Sequence, residues 1–409
     1  MMTTKLIHKM ANDNLNISNI NVFDVINGAI KYDVSIQISK GLISQISENG
    51  ENRKSTDQDK SASELWAIPG LIDSHVHLFE IHNGVDKGIL DKSETFERAN
   101  NRALANIKEA LKVGVTCVRD VGAFSAYNNQ LRDIVEADIP KYTFRIVSCG
   151  HHITRANGHW YDRGRIWIPD QLTLEEIVCN EINSGADFIK VMNDDPIFNL
   201  CELQKIAAAC KKMKRKLSCH AYTKETIDIA FNAGVDTIEH AACYSEEFCE
   251  KVIKKEVIVC PTVISALDSV NHIDDVLKAF TDCKKEDFMW WADFLRQNLP
   301  LTFARGVKVI AGTDAGTLPT DFKSLPREII EFTKLGATNL QALQSATIYA
   351  AEALDIAAIT GSIEIGKSAD IVILGKNPLD NLEEAILDVK MVISRGHIVI
   401  NNLSTSYDN

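Results

Sequence analysis

Two histidines one residue apart, His75 and His77, close the run Pro69-Gly70-Leu71-Ile72-Asp73-Ser74-His75-Val76-His77. If this run is a strand, side chains at i and i+2 leave it on one face, so both imidazoles can grip one metal ion. Such pairs are common, and the case depends on partners elsewhere. Four further polar residues interrupt apolar runs: Lys190 in Phe188-Ile189-Lys190-Val191-Met192, His220 in Leu217-Ser218-Cys219-His220-Ala221-Tyr222, His240 in Ile238-Glu239-His240, and Asp314 in Ala311-Gly312-Thr313-Asp314-Ala315-Gly316. A lysine in such surroundings is expected to be buried, where an unpaired ammonium is costly. It then needs a counter-charge, a lowered pKa or chemical conversion. Reaction with CO2 gives a carbamate, an anionic oxygen donor able to bridge two cations. Four histidines, one aspartate and one such lysine suit a two-metal cage, with Zn2+ the favoured ion for neutral imidazoles.

The elements that must position these residues alternate. Strand candidates fall at 72–78, 116–122, 143–150, 187–192, 216–221, 237–242, 257–263 and 308–316. Helical stretches at 94–112, 174–184, 200–214, 224–233 and 287–305 carry apolar residues at spacings of three and four. Gly114 and Gly234 read as helix C-caps leading into strands. Eight such units over about 280 residues fit a (β/α)8 TIM barrel, whose active sites lie at the C-terminal strand ends. That is where the polar residues fall. Short β-like runs at 20–25, 32–38 and 42–46 precede the barrel, and others at 361–374 and 389–400 follow the last helix, 339–354. The fold class is therefore α/β, with a barrel over 67–357 and a small β-sandwich built from residues 1–66 and 358–409. The polar stretch 49–64 reads as a solvated loop.

Composition narrows the function. The 409 residues are 45% hydrophobic and 24% charged, ordinary for a chain with a large core. A net charge of −12 argues against a nucleic-acid partner. No run reaches the length of a membrane helix, and Met1 to Ser18 lacks the apolar core of a signal peptide. A cytoplasmic enzyme acting on a small molecule, and forming a homo-oligomer, is the expectation. The ten cysteines are scattered singly with no Cys-x-x-Cys pair, so a thiolate zinc site lacks its usual spacing.

Pro69 to His77, followed in order by Lys190, His220, His240 and Asp314, resembles the metal-dependent amidohydrolase superfamily. The phrases around Lys190, His220-Ala221-Tyr222-Thr223, Gly234 to His240 and Ala311 to Gly316 are similar to its imidazolonepropionase-like, prolidase-type branch. The resemblance implies two zinc ions. His75, His77 and Asp314 would hold one, His220 and His240 the other, with carboxylated Lys190 bridging. It implies hydrolysis of dipeptides, Xaa-Pro among them, of N-acyl amino acids or of ochratoxin-like amides by a metal-bridging hydroxide. Asp314 would move the proton, while His159 and Tyr222 would hydrogen-bond the carbonyl oxygen. The branch often carries Gly-Gly-His-Gly after the third strand. Here Ala156-Asn157-Gly158-His159-Trp160 keeps the histidine and replaces some glycines.

In the same loop His151 and His152 are adjacent and point apart, so at most one, taken as His152, faces substrate. Arg155 can pair with a substrate carboxylate or lie in solvent. Trp290 and Trp291 are expected to pack rather than line a pocket. Within the superfamily, a lactone or cyclic-amide hydrolase and a deaminase are the competing chemistries. Lys190 favours the two-metal class over the deaminases. A non-catalytic relative is disfavoured because every ligand position is filled.

Overall fold

At Pro69-Gly70 the chain passes from one sheet into another. Trp66–Pro69 belongs to an eight-stranded sheet and Leu71–Val76 to a three-stranded parallel one. Only glycine fits the step, since a Cβ at Gly70 would lie 2.2 Å from Thr116 Oγ1. The computed structural model describes residues 7–9, 14–48, 64–80, 94–139, 141–156, 158, 165–167, 171–194, 197–280 and 283–403.

The eight-stranded sheet draws on both ends of the chain. Trp66–Pro69 pairs in parallel with Leu15–Phe23 and antiparallel with Ile371–Leu374. Leu15–Phe23 continues to Ile30–Ser39 and Leu42–Glu48, and Ile371–Leu374 to Val389–Ser394 and His397–Asn401. Val34, Ile36 and Ile38 alternate inward along their strand, the period-two pattern of a half-buried sheet, and pack with Ile17, Ile371 and Ile393.

Two parallel sheets carry the remainder. One orders Leu71–Val76, Val115–Asp120 and Arg145–Ser148. The other runs through Ile189–Met192, Leu217–His220, Thr237–Glu239 and Ile258–Cys260. Asp187 N donates to Ser148 O at 2.8 Å between them. Residues 308–316 form bridges rather than a continuous strand, Val309 pairing with Val259 and Ala315 with Val76. Ile189, Val191, Cys219 and Ile238 pack outward with the helices, so Lys190 and its register partner Ser218 face the opposite side. The α/β pattern of parallel strands and intervening helices is thus as the sequence suggests.

Helix starts follow local chemistry. Thr173 with Glu176 and Asn199 with Glu202 make capping boxes for Leu174–Asn183 and Leu200–Lys212. Gly234 ends Lys224–Ala233 in the left-handed conformation, φ 85°. Three further expectations change. The helix expected over 339–354 is two, Asn339–Ser345 and Ile348–Ala353, broken where Thr347 leaves helical dihedrals. An extra strand, Ile153–Arg155, pairs with Ile189–Met192 and with Arg165–Trp167 after the third strand. The strand expected over 257–263 ends at Cys260, and its last residue begins the helix Val263–Asn271. Among the described residues no helix is long and apolar enough to cross a membrane.

Candidate active site

His75, His77, Lys190, His220, His240 and Asp314 all line one cavity of about 480 Å³. His75 and His77 come from the end of Leu71–Val76, Lys190, His220 and His240 from the ends of three neighbouring parallel strands, and Asp314 from the bridged segment 308–316 beside them. The His75 ring lies 5.8 Å from that of His77 and 4.7 Å from that of His240, which is 4.5 Å from His220. Asp314 Oδ1 sits 3.6 Å from His75 Nε2 and 3.5 Å from His77 Nε2. That oxygen is buried and has no hydrogen-bond donor among the described residues.

Three lone-pair atoms gathered this way suit a cation. Two ligands of a tetrahedral zinc, each about 2.0–2.2 Å from it, lie about 3.4 Å apart. His75, His77 and Asp314 therefore fit one divalent ion. The far sides of the rings fix the orientation. His77 Nδ1 lies 3.0 Å from Gly122 O, and a carbonyl only accepts, so Nδ1 carries the proton and Nε2 keeps its lone pair. His75 Nδ1 lies 2.8 Å from Glu239 Oε2, and His240 Nδ1 2.8 Å from Thr262 Oγ1.

Glu239 has no solvent exposure, and it accepts from Arg119 Nη2 at 2.6 Å and Ser218 Oγ at 2.6 Å. Burial alone would raise its pKa, but Arg119 and Lys190 outweigh that and hold it below the usual carboxylate value. A carboxylate behind His75 thus holds the ring as a neutral donor at Nδ1. Burial, with help from Lys190, His77 and Arg119, keeps the His75 pKa well below normal.

Lys190 is 1% exposed, and no ion pair holds its ammonium among the described residues. Burial lowers its pKa, with Glu239 opposing. This is the environment that favours an uncharged amine, the form that reacts with CO2. Burial also raises Asp314 to about 7, against Lys190 and Ser265. A divalent ion beside it would reverse that shift.

The backbone is shaped for these contacts. His240 and Asp314 both have left-handed dihedrals, φ 65° and 59°, uncommon outside glycine. Asp314 N donates to His75 O at 2.7 Å, which brings the two strand ends together. Close approach also demands Gly316, where a Cβ would lie 2.1 Å from His77 O.

The other sequence candidates separate. Tyr222 lines the cavity, its ring stacked on His240 at 5.0 Å and edge-on to His220 at 4.4 Å. Burial raises its pKa well above normal, so it stays a hydroxyl donor. His159 lies outside the described residues. His152 is buried beside Gly122 and is not among the described cavity-lining residues. Arg155 is not among them either; its Nη2 donates to Glu202 Oε1 at 2.6 Å, and its guanidinium lies over Phe198. His151 approaches Glu181 instead, at 3.1 Å.

Packing is not the whole role of the two tryptophans. Both line the cavity with Phe280 and Phe288, and Trp291 Nε1 donates to His240 O at 3.1 Å. Sequence reasoning also missed Glu239 and Arg119. A charged residue inside the strand phrase Thr237-Ile238-Glu239 was the available signal, by the same logic that singled out Lys190.

The sequence profile of the amidohydrolase family matches residues 66–399. An imidazolonepropionase of Fusobacterium nucleatum subsp. nucleatum is 26% identical over 344 residues, 75% of each chain. The ochratoxinase of Aspergillus niger is 24% identical over 359 residues, 77% of this chain and 71% of that one. Among solved structures, a Xaa-Pro dipeptidase with methionine bound in its active site superposes with a TM-score of 0.78 and 25% identity, covering 93% of this chain and 98% of the other. The chain therefore belongs to the amidohydrolase family of hydrolases, with imidazolonepropionases as sequence relatives and prolidase-type enzymes as structural neighbours.

Proposed function

We propose that this protein is a binuclear metal-dependent hydrolase that cleaves an amide or peptide bond of a small substrate: a dipeptide, Xaa-Pro included, or an N-acyl amino acid. The observation that carries this reading is the convergence of four histidines, Asp314 and a buried Lys190 on one cavity. His75, His77 and Asp314 would hold one ion, His220 and His240 the other, and Lys190 as its carbamate would bridge them. When bound, two divalent ions, Zn2+ by donor chemistry, supply hydroxide near neutral pH and polarise the scissile carbonyl.

The chain's own groups do the rest. Asp314 takes the proton of the attacking water and passes it to the leaving nitrogen, base first and acid second. Tyr222 lines the cavity and would donate to the carbonyl oxygen as its charge grows. Phe280, Phe288, Trp290 and Trp291 give the cavity an apolar wall for a substrate side chain, and about 480 Å³ is ample for a dipeptide. The same reading takes the parallel strands as a closed (β/α)8 barrel over 67–357 and the strands of 1–66 and 358–409 as a sandwich. A homo-oligomeric, cytoplasmic enzyme completes it.

Metal analysis and a substrate panel test the proposal together. Two equivalents of metal per chain and turnover of at least one of Xaa-Pro, Xaa-Arg, hydrophobic dipeptides or N-acyl amino acids are expected. Two equivalents of metal with turnover confined to lactones or cyclic amides would support the second reading, which the imidazolonepropionase relatives favour. A metal-free protein that hydrolyses none of these would refute both.

A further inference from the structure

Thr262 stands at the N-cap of the helix Val263–Asn271, where a threonine hydroxyl normally accepts from the first-turn N–H groups. It does not do so here. Its backbone is left-handed, φ 50°, and no side-chain capping bond forms. The hydroxyl lies instead 2.8 Å from His240 Nδ1. The orphan N–H groups go to Glu328, from the helix Leu325–Lys334, and 65 residues on from Val263. Val263 N donates to its Oε1 at 2.9 Å and Ile264 N to its Oε2 at 2.7 Å. Glu328 has no solvent exposure, and burying a carboxylate is costly. Threonine is a residue type that does this task at an N-cap with an extended backbone, and here the left-handed backbone turns its hydroxyl to His240 instead. In the same turn, Ser265 Oγ donates to Asp314 Oδ2 at 3.3 Å. A single helical turn therefore touches side chains from two different strand ends of the site.

We infer that Glu328 is a surrogate cap whose role is to release Thr262, so that Thr262 fixes His240 with Nδ1 protonated and Nε2 turned to the cavity. Glu328 is then a positioning residue for the metal centre, though it contacts neither His240 nor the cavity. This rests on His240 being a metal ligand. Without Glu328 the first-turn N–H groups lack acceptors, and the Thr262 hydroxyl is drawn back to capping. His240 then loses the contact that sets its ring.

The test is a double-mutant cycle read in metal affinity, by chelator competition on the metal-loaded enzyme. Glu328→Gln keeps the shape but leaves one oxygen to accept, and its amide group faces an N–H. Glu328→Gln and Thr262→Val are each expected to weaken metal binding about 10-fold. If Glu328 acts through Thr262, the double variant is weakened no further than Thr262→Val alone, within about twofold. Losses that multiply to about 100-fold would overturn the inference, making Glu328 a general support of the fold.

A second readout needs no metal and no activity. In nitrogen-15 NMR of the wild type and Thr262→Ser, the His240 ring should show its proton on Nδ1. The Nδ1 signal should be lost in Glu328→Gln. A proton on Nε2 in the wild type, or an unchanged Nδ1–H in Glu328→Gln, overturns the inference. Should Glu328→Gln fail to fold, the wild-type spectrum against Thr262→Val decides: an Nδ1–H unaffected by loss of the hydroxyl overturns it. A wild type that takes up no metal would refute the proposed function, and the ring-proton comparison would still judge the Glu328 to Thr262 link.

Discussion

Glu239→Gln tests whether the charge behind His75 is a working part of the site. In the native chain Glu239 accepts from His75 Nδ1 at 2.8 Å, Arg119 Nη2 at 2.6 Å and Ser218 Oγ at 2.6 Å. All its partners are donors, and every group is buried. A glutamine keeps one acceptor oxygen and turns an NH2 toward a donor, His75 or Arg119. It also leaves the Arg119 guanidinium, 3% exposed, without its counter-charge. Removing one partner of a buried ion pair costs about 3–5 kcal/mol, and loss of a histidine's orienting carboxylate lowers metal affinity about 10–100-fold. Urea unfolding of the metal-free variant should therefore show destabilisation of about 3–5 kcal/mol. Adding Arg119→Met, which removes the stranded charge, should return part of it. A Glu239→Gln protein within about 0.5 kcal/mol of wild type, or a double variant that loses the sum of both single losses, would refute this account of the network.

Three further outcomes follow from the site. Gly316→Ala places a Cβ 2.1 Å from His77 O at φ 101°; calorimetric unfolding should show a loss of about 2 kcal/mol or more, and metal content should fall with it. Asp314→Asn should retain most of the metal yet lower kcat by about 10²–10⁴ on any substrate the wild type turns over. Calorimetric metal uptake in buffers of different ionisation heat should release more protons at pH 6 than at pH 8. Asp314 is held at about 7, so it is mostly protonated at the lower pH and must ionise to bind. His75, with its pKa well below normal, adds nothing to that difference. Asp314→Asn should abolish this part of the difference.

The cavity-lining positions were legible because each polar residue breaks an apolar run, and a strand end is where such a residue can face a cavity. Lys190 was the clearest, since an ammonium among Phe188, Ile189, Val191 and Met192 has no comfortable bland role. The supporting network was less legible. Arg119 and Glu239 meet only because strands far apart in the chain place them on one inner layer. Thr262 and Glu328 combine across two helices, one of which begins where the sequence suggests the tail of a strand. The run Val257-Ile258-Val259-Cys260-Pro261-Thr262-Val263 is apolar without a distinguishing period, and only the structure ends the strand at Cys260. Trp290 and Trp291 are adjacent on one helix and point apart. Trp291 is buried against His240, whereas Trp290 is 46% exposed at the cavity.

The central claim is a metal pair bridged by carboxylated Lys190, and metal stoichiometry of Lys190→Ala tests it most directly. The cavity left by the lysine should admit a short carboxylic acid in place of the carbamate. The account predicts that Lys190→Ala, purified without such an acid, falls well short of two metal equivalents per chain and regains them when acetate or propionate is supplied. Full occupancy in the variant without added acid would contradict it.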